Sequence, residues 1–221
     1  AMSDKTAAIL VEPIQGEGGI NPASTAYLQS LRDIADEFNT LLIFDEVQCG
    51  MGRSGKLFAY EIANVAPDIM GLAKGIGGGF PVGAVLATEK AASGMVPGTH
   101  GSTYGGNPLA MAAANAVLDV MLEKDFLASV LKKGTKLKND LVSLVEKHST
   151  VLESVRGVGL MLGIKSVGPN LELMAAFREN KLLTVVAGEN VVRVLPPLNV
   201  SEEEISEAVQ KIDQTCSQVS S

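Results

Sequence analysis

Lys74 and Asp45 are the two side chains best placed to do chemistry. Lys74 ends the apolar run Ile69-Met70-Gly71-Leu72-Ala73 and opens the glycine-rich stretch Gly75-Ile76-Gly77-Gly78-Gly79. An amine in such a place can form a Schiff base with an aldehyde, and partial burial favours its uncharged, nucleophilic form. Asp45 ends a second apolar run, Leu41-Leu42-Ile43-Phe44. A carboxylate there can hold a protonated ring nitrogen beside the amine. A single strand-end lysine is by default only a solvated cation, and a lone aspartate an N-cap. The apolar approach to both residues argues for a built site.

The elements that must position them alternate between two hydrophobic periods. Ala7–Val11, Leu41–Asp45, Ile69–Ala73 and Val82–Ala87 read as short buried strands. Ser24 caps a helix with Tyr27, Leu28, Leu31, Ile34, Ala35 and Phe38 at helical spacing. The expected architecture is α/β, a mainly parallel sheet covered by helices on both faces, with functional loops at the carboxyl ends of the strands. Glu12, Asp45 and Lys74 all fall at such ends. Asn107-Pro108 opens a helix from Leu109 to about Glu123, and a second runs from Phe126 to about Lys147. Val151–Ile164 reads as one strand in which Gly157, Gly159 and Gly163 imply a bend or a close backbone approach. Leu171–Asn180 is a short helix, Leu182–Val186 and Val191–Leu195 a hairpin, and Ser201 to Glu204 a capping box before the last helix. A domain boundary is expected near Leu122–Phe126, giving a large domain over 1–122 and a small α+β domain over 123–221.

Composition narrows the function classes. With 46% hydrophobic residues and 23 glycines, the 221-residue chain can bury a sizeable core. A formal charge of −7 leaves no basic stripe for nucleic acid. Cys49 and Cys216 lie far apart and suit unbridged thiols in a reducing, cytoplasmic compartment. No apolar run is long enough for a bilayer, so neither a membrane nor a nucleic acid is expected as partner. No metal site is expected. Gly50-Met51-Gly52-Arg53-Ser54-Gly55 matches a dinucleotide fingerprint literally, and with Lys56 most of a P-loop. Leu57 stands where a P-loop needs a hydroxyl, and Pro67 interrupts the crossover helix that a dinucleotide fold needs.

Several blocks follow one another in a recognisable order. They are Val11-Glu12-Pro13-Ile14-Gln15-Gly16-Glu17-Gly18-Gly19, Phe44-Asp45-Glu46-Val47-Gln48, Gly52-Arg53-Ser54-Gly55, Pro67-Asp68-Ile69, Ala73-Lys74-Gly75 and His100-Gly101-Ser102-Thr103-Tyr104-Gly105-Gly106-Asn107-Pro108. Together they resemble the class III aminotransferases among the fold-type I pyridoxal phosphate enzymes. Ser54 stands where that family usually has threonine. The resemblance implies that Lys74 is the Schiff-base residue and proton carrier, and that Asp45 pairs with the ring nitrogen of pyridoxal 5'-phosphate. It implies that Gln48 bonds near the ring hydroxyl and Val47 packs on the ring face. Thr103 would bond the cofactor phosphate of a neighbouring subunit, making a homodimer with a shared active site. Arg193 would clamp a substrate carboxylate, and Glu17 would neutralise it when none is bound. Glu12 would support the site from behind it. The substrates implied are small amino acids and 2-oxo acids.

Members of that family are nearly twice as long. The resemblance implies that these residues are a C-terminal portion of the large domain plus the small domain. A phosphate-cradling Ser-Gly loop and a ring-stacking aromatic are expected in a preceding half. The chain alone is then expected to be inactive and to expose an apolar strand edge.

Overall fold

The computed structural model describes residues 2–219. In chain order the elements are β1 (Ala8–Val11), β2 (Ile14–Gln15), β3 (Asn21–Pro22), α1 (Thr25–Glu37) and β4 (Leu41–Asp45). Then come α2 (Tyr60–Ala63), β5 (Ile69–Leu72), a 3-10 turn at Lys74–Gly77, β6 (Ala84–Ala87), α3 (Glu89–Ala92) and α4 (Pro108–Met121). The remainder is α5 (Phe126–Lys147), β7 (Leu152–Val158), β8 (Met161–Ser166), α6 (Asn170–Glu179), β9 (Val185–Ala187), β10 (Val191–Val194) and α7 (Glu202–Val219). The chain forms two compact units. One gathers the segment ending at Pro13 with Ala23–Met51 and Lys56–Phe126; the other gathers Ile14–Pro22, Gly52–Gly55 and the chain from Leu127 onward.

The first unit is built on a mixed, mostly parallel sheet of order β1-β4-β5-β6. β1, β4 and β5 run parallel, and β6 returns antiparallel to β5. The fourth strand was expected in a mainly parallel sheet, but its link to β5 contains only the 3-10 turn. A parallel return needs a longer crossover, usually a helix. Alternation along β4 sends Leu42 and Phe44 into a core with Leu28 and Ala35 of α1, closed by Ala63 and Val65. α1 begins where the Ser24 hydroxyl accepts the Tyr27 N–H at 3.1 Å. The other face carries Leu10, Ile43, Ile69 and Ala87 in one row, and Asp45, Gly71 and Val85 in the next. It keeps Leu10 at 68% and Val85 at 75% exposure. Helical cover on both faces, expected from the alternating pattern, is therefore not seen among the described residues.

The second unit has an antiparallel sheet of order β7-β8-β10-β9 with α5, α6 and α7. The stretch expected as one strand over Val151–Ile164 is a hairpin. Gly159 takes φ +57 in its two-residue turn, a conformation that a β-branched residue resists. The neighbouring glycines make room for side chains from other strands and loops. A Cβ at Gly163 would stand 2.6 Å from Val191 and 3.0 Å from Ile20, and one at Gly157 would stand 2.9 Å from Ile20. A Cβ at Gly159 would meet the Arg53 carbonyl and lie 2.7 Å from Ser54. Segments 14–22 and 52–55 are thus seated in slots that only glycine leaves open. They lie early in sequence and pack with the later residues.

Gly134 makes the same kind of contact from α5, since its Cβ would collide with the backbone of Gly159. Glycine in a helix interior normally costs about 1 kcal/mol against alanine. Here the collision dominates. Gly134→Ala should lower stability by roughly 1–3 kcal/mol, read as a lower urea midpoint with an unchanged slope; a raised midpoint would refute the close approach.

Candidate active site

β4 delivers Asp45 to its carboxyl end because alternation buries Leu42 and Phe44 and turns Leu41, Ile43 and Asp45 to the open face. The Val47 N–H donates to Asp45 Oδ1 at 3.0 Å, fixing the carboxylate plane. Among the described residues Oδ2 takes no hydrogen bond, so it is left for another donor. In register beside Asp45 stands Gly71, where an added Cβ would meet nothing within 4 Å. A carboxylate acceptor next to a patch of bare sheet suits a flat ring carrying an N–H. On that observation the residues present fit a protonated nitrogen heterocycle.

β5 delivers the amine. Ala73 is extended, and Lys74 then turns into the left-handed region at φ +47 as the first residue of the 3-10 turn. A lysine pays of order 1–3 kcal/mol for that conformation, and such strain gathers at functional sites. The turn is pinned from below. Ile76 and Gly77 are buried, a Cβ on Gly75 would sit 3.1 Å from Met51, and one on Gly78 would sit 2.7 Å from Val117. Lys74 itself points outward and is exposed, and its amine makes no hydrogen bond or ion pair among the described residues. The partial burial expected from its apolar approach is absent, because the packed face of the turn belongs to Ile76 and Gly77.

Val47 and Gln48 are half-buried in the turn that follows Asp45. That turn hangs on Glu46, a residue given no role in the sequence reading. Glu46 is 1% exposed, and its two carboxylate oxygens accept the N–H groups of Ala59 at 2.6 Å and Tyr60 at 2.8 Å. Its own N–H donates to the Gly71 carbonyl at 3.0 Å, and its carbonyl accepts from Gly50 at 2.9 Å. Burial pushes the Glu46 carboxyl up to about 7 against the pull of the two backbone N–H donors, with Glu61 adding to the rise. An acid next to a strand-end acid is a weak signal in sequence, and only the fold shows what it holds. Thr103 lies in an exposed stretch and bonds neither Asp45 nor Lys74. Glu12 is half-buried just beyond β1.

In the second unit Arg193 sits on β10, paired with β8 on one side and β9 on the other, and is 9% exposed. Its guanidinium donates to Glu17 at 2.5 Å, and the Glu17 side chain is 75% exposed. A buried cation needs such a partner, since leaving it unpaired costs several kcal/mol. Glu17 thus supplies the counter-charge for this guanidinium. Cys49 and Cys216 are buried and form no disulfide. His148 follows α5 and faces Asp213 at 2.5 Å, and His100 is exposed. Among the described residues no cluster of His, Cys, Asp or Glu could hold a metal ion, and no helix is long and apolar enough to cross a membrane.

Comparison with known proteins gives one consistent answer. A family profile described as aminotransferase class-III matches residues 1–216. The chain is 57% identical over 221 residues to acetylornithine aminotransferase 1 of Bradyrhizobium diazoefficiens, covering 100% of this chain and 55% of that protein. A crystal structure of acetylornithine aminotransferase from Elizabethkingia anophelis superposes with a TM-score of 0.89 at 38% identity, over 96% of this chain and 56% of that one. An ornithine aminotransferase from Toxoplasma gondii, described with partial occupancy of PLP at its active site, gives a TM-score of 0.91 at 33% identity, over 96% and 51%. The chain spans about half the length of the curated relatives it matches.

The carboxyl of Glu46 has a pH signature of its own. Its folded-state value is raised above the ordinary 4.5, so its contribution to stability is full below about 4.5 and is lost as pH rises through about 7. Glu46→Gln cannot titrate. Its urea midpoint should lack the decline that the parent protein shows between pH 5 and 8, and parallel profiles for the two would refute this role.

Proposed function

The chain belongs to the class-III aminotransferase family, and on that premise we propose that it serves pyridoxal phosphate-dependent transamination of N-acetylornithine with 2-oxoglutarate, a step of arginine biosynthesis. The observation that carries the cofactor site is the open row beside β5. Asp45 offers an unused oxygen there next to bare Gly71, and Lys74 stands at the end of the same strand pair with an uncommitted amine. The choice of amine donor rests on the relatives, which at 53–57% identity are acetylornithine aminotransferases. The blocks Gln48-Cys49-Gly50-Met51-Gly52 and Gly75–Gly83 favour that branch as well.

Pyridoxal phosphate supplies an aldehyde that condenses with amines and a protonated ring that accepts the electron pair left when an adjacent carbon loses its proton. This chain's residues do the rest. Lys74 Nζ would hold the cofactor between turnovers, and its freed amine would carry the proton that leaves the substrate carbon. Asp45 Oδ2 would accept the ring N–H and favour the protonated ring. Val47 would pack on the ring, and Gln48 would donate near its hydroxyl. Arg193 would bind the α-carboxylate of 2-oxoglutarate, and Glu17 would neutralise Arg193 when no such carboxylate is bound there. Thr103, exposed on this chain, would donate to the phosphate held by a second copy in a homodimer. The 221 residues alone hold the cofactor weakly, because Lys74 is exposed and the sheet face beside Asp45 is open.

Ornithine is the alternative donor, favoured by the fold likeness to ornithine aminotransferases, with 4-aminobutyrate behind it. Treating the protein that carries this chain with pyridoxal phosphate and then borohydride should leave a stable adduct on Lys74. Lys74→Ala should show none and lose roughly 10²–10⁴-fold in kcat. The specificity constant should fall in the order acetylornithine, ornithine, 4-aminobutyrate. An adduct on another lysine sinks the site, and a preference for ornithine sinks the choice of donor.

A further inference from the structure

The glycine-rich hairpin and the cation beside it, Arg156, have no part in the reaction as proposed. They nonetheless build the support of Glu17. Glu17 belongs to the loop joining β2 to β3, and that loop is clamped at three points. Ile20 is 0% exposed and takes φ +54, a costly conformation for a β-branched residue. Its side chain fills the slot left by Gly157 and Gly163, and that burial offsets the strain. The Gly188 N–H donates to the Glu17 carbonyl at 2.7 Å. The third clamp is Arg156, whose guanidinium donates to Asn21 Oδ1 at 2.7 Å and to the Glu189 carboxylate, with the Gly19 carbonyl at 3.5 Å.

Two of these clamps end on the 188–190 turn between β9 and β10, so that turn must itself be fixed. It is braced from behind. The Asn170 N–H donates to Asn190 Oδ1 at 2.9 Å, and its side-chain amide donates to the carbonyls of Ala187 and Val191. The Asn190 amide donates to Ser166 and Gly168 in turn. The turn is a rigid post, and Arg156 ties the Glu17 loop to it. Arg193 needs no such tie, because β10 is hydrogen-bonded on both sides. Arg193 is thus held by the sheet, and Glu17 by a latch onto the turn that leads into the same strand.

We infer that Arg156, with Glu189, is a positioning residue that sets how firmly Glu17 covers Arg193, and so tunes the balance between substrates that present a carboxylate to Arg193 and those that do not. A firm latch keeps Glu17 at high local concentration on the guanidinium, where it competes with an incoming carboxylate. A loose latch weakens that competition without moving Arg193. The inference rests on the Glu17–Arg193 reading proposed above.

The test uses the complete, cofactor-loaded protein and the ratio of kcat/KM for 2-oxoglutarate to kcat/KM for N-acetylornithine. Arg156→Gln should raise this ratio about fivefold, the effect of losing roughly 1 kcal/mol of competition. The change should come mainly through a lower KM for the oxo acid. Glu189→Gln, at an exposed position, should shift it the same way by less, and Arg156→Lys should return it toward the parent value. In hydrogen exchange, the Gly188 amide should lose protection in Arg156→Gln while α6 amides keep theirs. If Glu17→Gln leaves the ratio unchanged, the underlying reading fails. If Glu17→Gln shifts the ratio and neither Arg156→Gln nor Glu189→Gln does, only the latch fails. An equal loss for both substrates, with the ratio constant, also overturns the latch and leaves Arg156 a purely structural residue.

Discussion

Close approach of other segments at four glycines organises the second unit. Gly134, Gly157, Gly159 and Gly163 each stand where a Cβ would collide with another main chain or with a buried side chain. The β7–β8 hairpin therefore receives α5 on Gly159, the 52–55 segment on the same residue and Ile20 in the Gly157–Gly163 slot. Arg53 completes the anchorage of its segment by donating to the carbonyls of Leu160 at 3.3 Å and Pro196 at 2.5 Å. The Leu160 N–H returns a bond to the Arg53 carbonyl at 2.9 Å. Larger residues at Gly157 or Gly163 would displace Ile20 and with it the loop that carries Glu17, whatever the identity of Glu17. Packing of this kind is intolerant because interiors are already close to crystal density.

The two units solve opposite electrostatic problems. The first leaves Lys74 and Asp45 uncovered, with an amine that has no partner among the described residues and a carboxylate with one oxygen in use. The second buries a guanidinium and must cover it at once, because a cation removed from water without a counter-charge is costly. Glu17 is that counter-charge, reached from a side chain that is itself largely exposed. Exchange of one carboxylate for another is cheap in a way that removing the carboxylate would not be.

Much of this was legible in the residues, and the reasons for the gaps are physical. Asp45 and Lys74 could be placed at strand ends because apolar runs of four or five residues, stopped by polar or glycine-rich segments, have few other readings. Gly157, Gly159 and Gly163 correctly signalled close approach, but not what approached, since Ile20 and Ser54 lie more than a hundred positions away in the chain. A strand interrupted by glycines and a two-residue hairpin have nearly the same pattern, so Gly159 as a turn residue was missed. The direction of β6 depends on the length and content of its link to β5, which hydrophobic periodicity does not report. Glu46 was invisible because its partners are backbone N–H groups thirteen and fourteen residues on. Backbone donors leave no trace in residue types.

Ile20 and Lys74 make an instructive pair, because both side chains are held at left-handed φ and only one is rewarded directly. Ile20 recovers its strain through complete burial of its own side chain. Lys74 recovers nothing that way, since its side chain is exposed. Its conformation is imposed by neighbours that are well packed, with Ile76 buried beneath it, Gly75 against Met51 and Gly78 against Val117. A strained residue whose stabilisation lies entirely in the residues around it is free to change its own covalent partner without disturbing the fold. That separation between the group that reacts and the groups that hold its backbone is what a lysine needs if it is to bind a cofactor, release it and take it back at every turnover.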